Sequence, residues 1–157
     1  MASPLAAVES GLDTLLSSIS YTKQKGGTAN VPYIGSSPIV AYKRYPLVRL
    51  DDITSEPYDC KDRKGWEVNV ILEIFSSTDV GHGSNYDINQ VEAIIEPLIR
   101  DQPYALSLGA GFSIAGIIDY ATDKDDGTRL ADPSNQKSKP QRVISRDVSF
   151  SILINNS

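Results

Sequence analysis

Between Gly65 and Asp101 the spacing of the apolar residues changes once. In GWEVNVILEIFSS, Trp66, Val68, Val70, Leu72 and Ile74 recur every second residue with Glu67, Asn69 and Glu73 between them, the period of a strand buried on one face. In INQVEAIIEPLIRD, Val91, Ile94, Ile95, Leu98 and Ile99 take the three-four spacing that gathers apolar side chains on one helix stripe. A glycine-rich turn, DVGHGSNYD, separates the two. The pair predicts a strand followed by a helix able to cover the strand's apolar face.

The same reading extends along the chain. Ser3 and Pro4 supply a hydroxyl cap and a proline at the first helical position, and Val8, Leu12, Leu15, Leu16 and Ile19 share a stripe, so residues 4 to 20 read as a helix with Gly11 as a weak point. From Tyr21 to Tyr45, glycines, prolines and serines lie among scattered aromatics with no sustained period, which reads as a long loop or arm. Residues 46 to 53, PLVRLDDI, read as a strand begun by Pro46, and DDITSEPYDCKDRKG as a polar excursion. Pro97 is expected to end the second helix or kink it at Glu96. Tyr104 to Leu108 is expected to be a short extended segment, and residues 112 to 122 a further strand. The polar stretch 123 to 141 reads as an exposed loop or hairpin arm. The chain closes on a strand in which Ile144, Val148, Phe150, Ile152 and Ile154 oppose Ser145, Asp147, Ser149 and Ser151. The fold class is therefore α+β: a mainly antiparallel β-sheet packed against two α-helices, with long extended loops or arms at 21–45 and 123–141, in a single domain spanning 1–157.

Composition narrows the function more than it names it. At 157 residues, 40% hydrophobic and 22% charged, the chain can bury a core without metal or disulfide staples. No apolar run approaches the roughly 18 to 20 residues of a membrane span, and MASPLAAVESGLDTLL lacks the basic start of a secretory signal, so the reading is a protein made in a cytoplasm. A net charge of −5 is opposite to the basic footprint of sequence-specific nucleic-acid binding.

No constellation of residues carries a catalytic signature. His82 is the sole histidine, flanked by Gly81 and Gly83, and reads as a turn residue rather than a base. Cys60, the sole cysteine, lies among Asp59, Lys61 and Asp62 in an expected polar loop, without recognisable partners for a nucleophile. GHGSN lacks the Gly-Lys-Ser/Thr of a phosphate loop, and Ser84, Asn85 and Asp87 are better read as helix caps. DKDDGT, residues 123 to 128, begins like a calcium loop, but its twelfth position is Ser134, so it reads as an acidic turn bent at Asp126-Gly127. Asp51 with Asp52, and Asp59 with Asp62, are expected beside turns with nothing to separate acid from base. No catalytic, cofactor-binding or metal-binding residue is assigned, and the chain reads as neither an enzyme nor a cofactor protein.

The order of elements, with GWEVNVILEIFS, INQVEAIIEPLI and RVISRDVSFSILI as its most specific parts, resembles the tail terminator or tail-completion proteins of long-tailed bacteriophages. The resemblance covers residues 1 to 154 in layout and rests on patterns, so no individual contact residue carries over. It implies a structural virion protein of the tail or neck, forming a homo-oligomer, a hexameric ring, that caps the tail tube, ends its polymerisation and joins the tail to the head. Its implied partners are the tail tube protein, neck or head-tail connector proteins, the sheath protein if the tail is contractile, and genomic DNA passing through the lumen without sequence-specific binding. Asp123, Asp125 and Asp126 would then keep such a lumen from holding the genome by like-charge repulsion. A connector or stopper of the neck shares this layout, and a small ligand-binding domain or enzyme using His82 is the reading from another class.

Overall fold

The computed structural model describes residues 3–35, 46–60, 63–79, 86–109, 111–130 and 141–156, with side chains except at 59, 60, 63, 77–79, 124–130 and 141–143. The elements are α1 (Pro4–Leu16), β1 (Ser20–Thr22), β2 (Thr28–Asn30), β3 (Tyr33–Ile34), β4 (Leu47–Cys60), β5 (Arg63–Asp79), α2 (Tyr86–Arg100), β6 (Phe112–Leu130) and β7 (Gln141–Asn156). Five strands form one sheet in the order β3-β4-β5-β7-β6, antiparallel except for the β3–β4 pair, and β1 with β2 forms a second, two-stranded sheet. The architecture is α+β, with two helices on a mostly antiparallel sheet.

The core follows directly from the two periods. Val68, Val70, Leu72 and Ile74 of β5 and Val148, Phe150, Ile152 and Ile154 of β7 lie at alternate positions and are all buried. Against them pack Val8, Leu12 and Leu16 of α1 and Ile88, Val91, Ile95 and Ile99 of α2. Register ties the rows together: Val70 pairs with Phe150 and Leu72 with Val148. The alternation therefore selects one side of the sheet for both helices.

Several expectations need correction. The first helix stops at Leu16, where Ser17 caps it and donates its hydroxyl to the Asp13 carbonyl, and Ile19 reaches the core from beyond the helix. Gly11 is a point of close approach: a Cβ there would lie 2.5 Å from the Ser107 carbonyl oxygen. The 21–45 stretch holds the short strands β1, β2 and β3 in its described part, and residues 36–45 lie outside the described residues. The polar excursion after residue 53 is strand throughout its described part: β4 runs to Cys60 and β5 starts at Arg63, paired residue for residue. Cross-strand pairing overrides composition here because polar side chains on this hairpin stand on a face open to water. Asp51 and Asp52 likewise sit within β4, at a register shift.

Pro97 lies inside α2 rather than ending it, and the helix continues to Arg100. The hydrogen bond lost to the missing N–H falls at Ala93, and both residues are exposed, so water can satisfy the freed carbonyl. Residues 104 to 108, expected as a short extended segment, belong to neither helix nor strand, and Leu106 among them is buried. Strand β6 continues through DKDDGT to Leu130, so the expected acidic turn gives way to strand; of the two readings of 123–141, loop or hairpin arm, the described part 123–130 takes the arm, paired with β7 and irregular between Asp125 and Arg129. Residues 131–140 lie outside the described residues.

Candidate functional site: the open face of the sheet

Residues one position out of step with the core point away from both helices. On β5 these are Glu67, Asn69, Ile71, Glu73 and Phe75, and on β7 Ser145, Asp147, Ser149, Ser151 and Leu153. Neighbouring strands extend this face with Asp52, Thr54, Glu56 and Tyr58 of β4 and with Ile118, Ala121 and Asp123 of β6. No described helix packs on it. It is a surface of hydroxyls, amides and carboxylates interspersed with apolar side chains such as Ile71, Leu153 and Ile118, rather than a pocket.

Its electrostatics break a rule that strands ordinarily keep. Glu56 pairs directly with Glu67, and Asp123, Asp147 and Glu73 follow one another across β6, β7 and β5. Like charges directly opposite are destabilising, so the fold holds these acids together at a cost. Glu73 is neutralised by Arg49, whose Nη2 lies 2.8 Å from its Oε1 and 2.6 Å from Asp51 Oδ1, with the guanidinium 5.8 Å from the centre of the Phe75 ring. That corner is buried, with Ile34, Leu47 and Phe75 forming a small apolar cluster of their own. Further along, Ser151 Oγ donates to Asn69 Oδ1 at 2.6 Å, which orders the polar centre of the face. The two large apolar side chains most exposed among the described residues, Tyr58 (47%) and Ile118 (40%), lie on this face at opposite edges.

Opposite, on the helix side, the buried polar groups divide: Arg146 is tied down, whereas the Tyr33 and Tyr120 hydroxyls have no hydrogen-bond partner among the described residues. Arg146, buried on the core side of β7, pairs with Glu92 and with Asn89 Oδ1 at 2.7 Å, pinning α2 to the sheet. Tyr120 stacks on Phe150 with ring centres 6.4 Å apart, and Arg100 sits 5.4 Å over its ring. Burial, reinforced by Glu92 and Glu96, pushes its phenol well above the usual range. The Tyr33 phenol is pushed up to about 12 by burial and by Asp13 and Glu9. Burial also raises Asp87 and, with Asp87 and Tyr86 nearby, Tyr21.

The sequence-derived candidates do not converge. His82, Ser84, Asn85, Asp62 and Lys61 lie outside the described residues, and Cys60 and Asp59 belong to β4. Asp87 stands in the first turn of α2, as a cap-region acid would. No group of three or more His, Cys, Asp or Glu among the described residues could hold a metal ion. No protein-family model and no curated protein matches this chain. An open groove of about 940 Å³ also runs between α1, α2 and the 105–109 segment, with Gly11, Thr14, Ile94, Leu98, Leu108 and Phe112 in its lining and no charged side chain. The acidic sheet face is the stronger candidate because its Glu56–Glu67 pair sets like charges opposite each other with no described base between them, a break with a local rule of the kind that functional surfaces carry. Sequence reasoning marked the odd positions of β5 and β7 as polar, yet missed Arg146. Its signal was parity: a charged residue in step with Val148 and Phe150 needs a buried partner.

Proposed function

We propose that the protein is a structural virion subunit that closes into a ring on the end of a phage tail tube, stops its polymerisation and offers a joining surface to the head. The observation that carries this reading is the one-sided sheet, which leaves a broad, ordered, acidic face free for macromolecular contact. Such a subunit acts through geometry: heterologous contacts between copies close a ring, one side meeting the tube and the other the neck. Its partners would be further copies of itself, in a hexameric ring, the tube protein and a neck or connector protein, with a sheath protein added in a contractile tail. A net charge of −5 suits a ring past which DNA moves, because acidic surfaces repel phosphate. No described helix is long and apolar enough to cross a membrane.

The test is negative-stain electron microscopy of lysates from a phage carrying a nonsense codon in this gene. Overlong, headless tubes are the expected result. Tails of normal length beside filled heads would instead assign the protein to a connector or stopper, and intact particles would remove the virion reading.

A further inference from the structure

The described basic side chains fall into two groups. Arg49, Arg100 and Arg146 are each tied to a carboxylate of their own chain. Lys23, Lys25 and Lys64 make no ion pair with any described residue, and two of them share one turn. That turn, Lys23 to Gly27, joins β1 to β2 and is closed by the Lys23 N–H on the Gly27 carbonyl at 2.9 Å and the Gly26 N–H on the Lys23 carbonyl at 3.0 Å. Gly26 and Gly27 hold φ of 93° and 81°, a conformation open to glycine at little cost, so the lysines stand on a built tip. Tyr21 of β1 is buried in the main core against the helices, which places the tip on the helix side of the sheet.

Lys23 and Lys25 thus stand on the opposite side of the sheet from the Glu56–Glu67 pair. The sheet itself keeps Lys23 and Lys25 from reaching Glu56 and Glu67 of their own chain. Two copies cannot meet acid face to acid face without like-charge repulsion, so the complementary contact is front to back. We propose that the open sheet face of one copy receives the Lys23–Gly27 turn of a second copy, with Lys23 and Lys25 set against the Glu56–Glu67 pair. The lysines relieve the repulsion that the fold tolerates at that pair. The contact is heterologous and leaves the turn of the first copy and the sheet face of the second unused, so repetition through a rotation closes a ring; that closure rests on the ring reading given above.

The experiment mixes protein of natural isotope content with uniformly nitrogen-15 protein at low ionic strength, adds a carbodiimide, and identifies the coupled peptides by mass spectrometry. Mixed-isotope peptides joining Lys23 or Lys25 to Glu56 or Glu67 are expected. Lys23→Glu with Lys25→Glu should weaken self-association by roughly tenfold or more in sedimentation, and adding Glu56→Lys and Glu67→Lys should restore it. Single-isotope couplings alone, a monomer at every concentration, or charge reversal without effect would overturn the proposal. Tail length is a separate readout: couplings found alongside normal tails in the nonsense mutant would keep this contact and remove the terminator role.

Discussion

Val148, Phe150, Ile152 and Ile154 of β7 are buried against two helices, whereas Ser145, Asp147, Ser149 and Ser151, one residue out of step on the same strand, face away from both. Ser145 and Ser151 are themselves buried, so exposure alone does not separate the two faces. Charge does. On the helix side, the buried Arg146 has its carboxylate and amide partners in α2, while on the open side acids stand opposite acids. One face is arranged to be stable within a single chain, and the other holds the Glu56–Glu67 pair, to which no described base is bonded.

The comparison predicts a gradient of mutational cost. Phe150→Ala removes a large side chain from the centre of the covered face and should cost about 3–5 kcal/mol in chemical denaturation. A smaller loss would mean that the helix side is loosely packed. Arg146→Ala should cost about 3 kcal/mol, because it leaves Glu92 of α2 without its partner, and a neutral result would break the claim that Arg146 pins α2 to the sheet.

Alkaline pH sharpens the contrast further. An unfolded tyrosine ionises near its ordinary pKa of 10.0, whereas Tyr33 keeps its proton up to about 12 in the fold. A raised pKa contributes stability that is complete below 10.0 and lost as pH climbs through about 12. The Tyr33 hydroxyl is buried with no hydrogen-bond partner among the described residues, so Tyr33→Phe should hold its melting temperature at pH 7 and fall less than the wild type as pH rises from 10.0 towards about 12. Identical alkaline losses would show that the phenol is not the responsible group. At the bottom of the gradient, Glu67→Gln on the open face should raise stability by a few tenths of a kcal/mol, since it relieves the pairing with Glu56. Destabilisation there would indicate that the acid serves the fold of the single chain.

Much of this architecture is legible in the residues. The alternation in 66–74 and 144–154 and the three-four spacing in 91–99 identify the central strands, their buried sides and the helix over them. Where the residues mislead, a partner strand supplies what local composition does not. TSEPYDC in β4 and DKDDGT in β6 look like loops because their polar side chains need no core, yet the first pairs along β5 and the second pairs with β7 through Asp123, Lys124 and Asp125. Gly11 reads as a defect in a helix until the Ser107 carbonyl is seen against it. The candidate face was half visible: Glu67 and Glu73 are polar by alternation, but the rows Glu56–Glu67 and Asp123–Asp147–Glu73 exist only once register is fixed.

The central claim is that the helix side builds the subunit and the open face builds the assembly. Its most direct test supplies Glu56→Lys/Glu67→Lys protein to the nonsense-mutant phage and images the lysate. The account predicts a folded protein with wild-type melting behaviour and overlong tubes without heads. Tails of normal length joined to filled heads would contradict it.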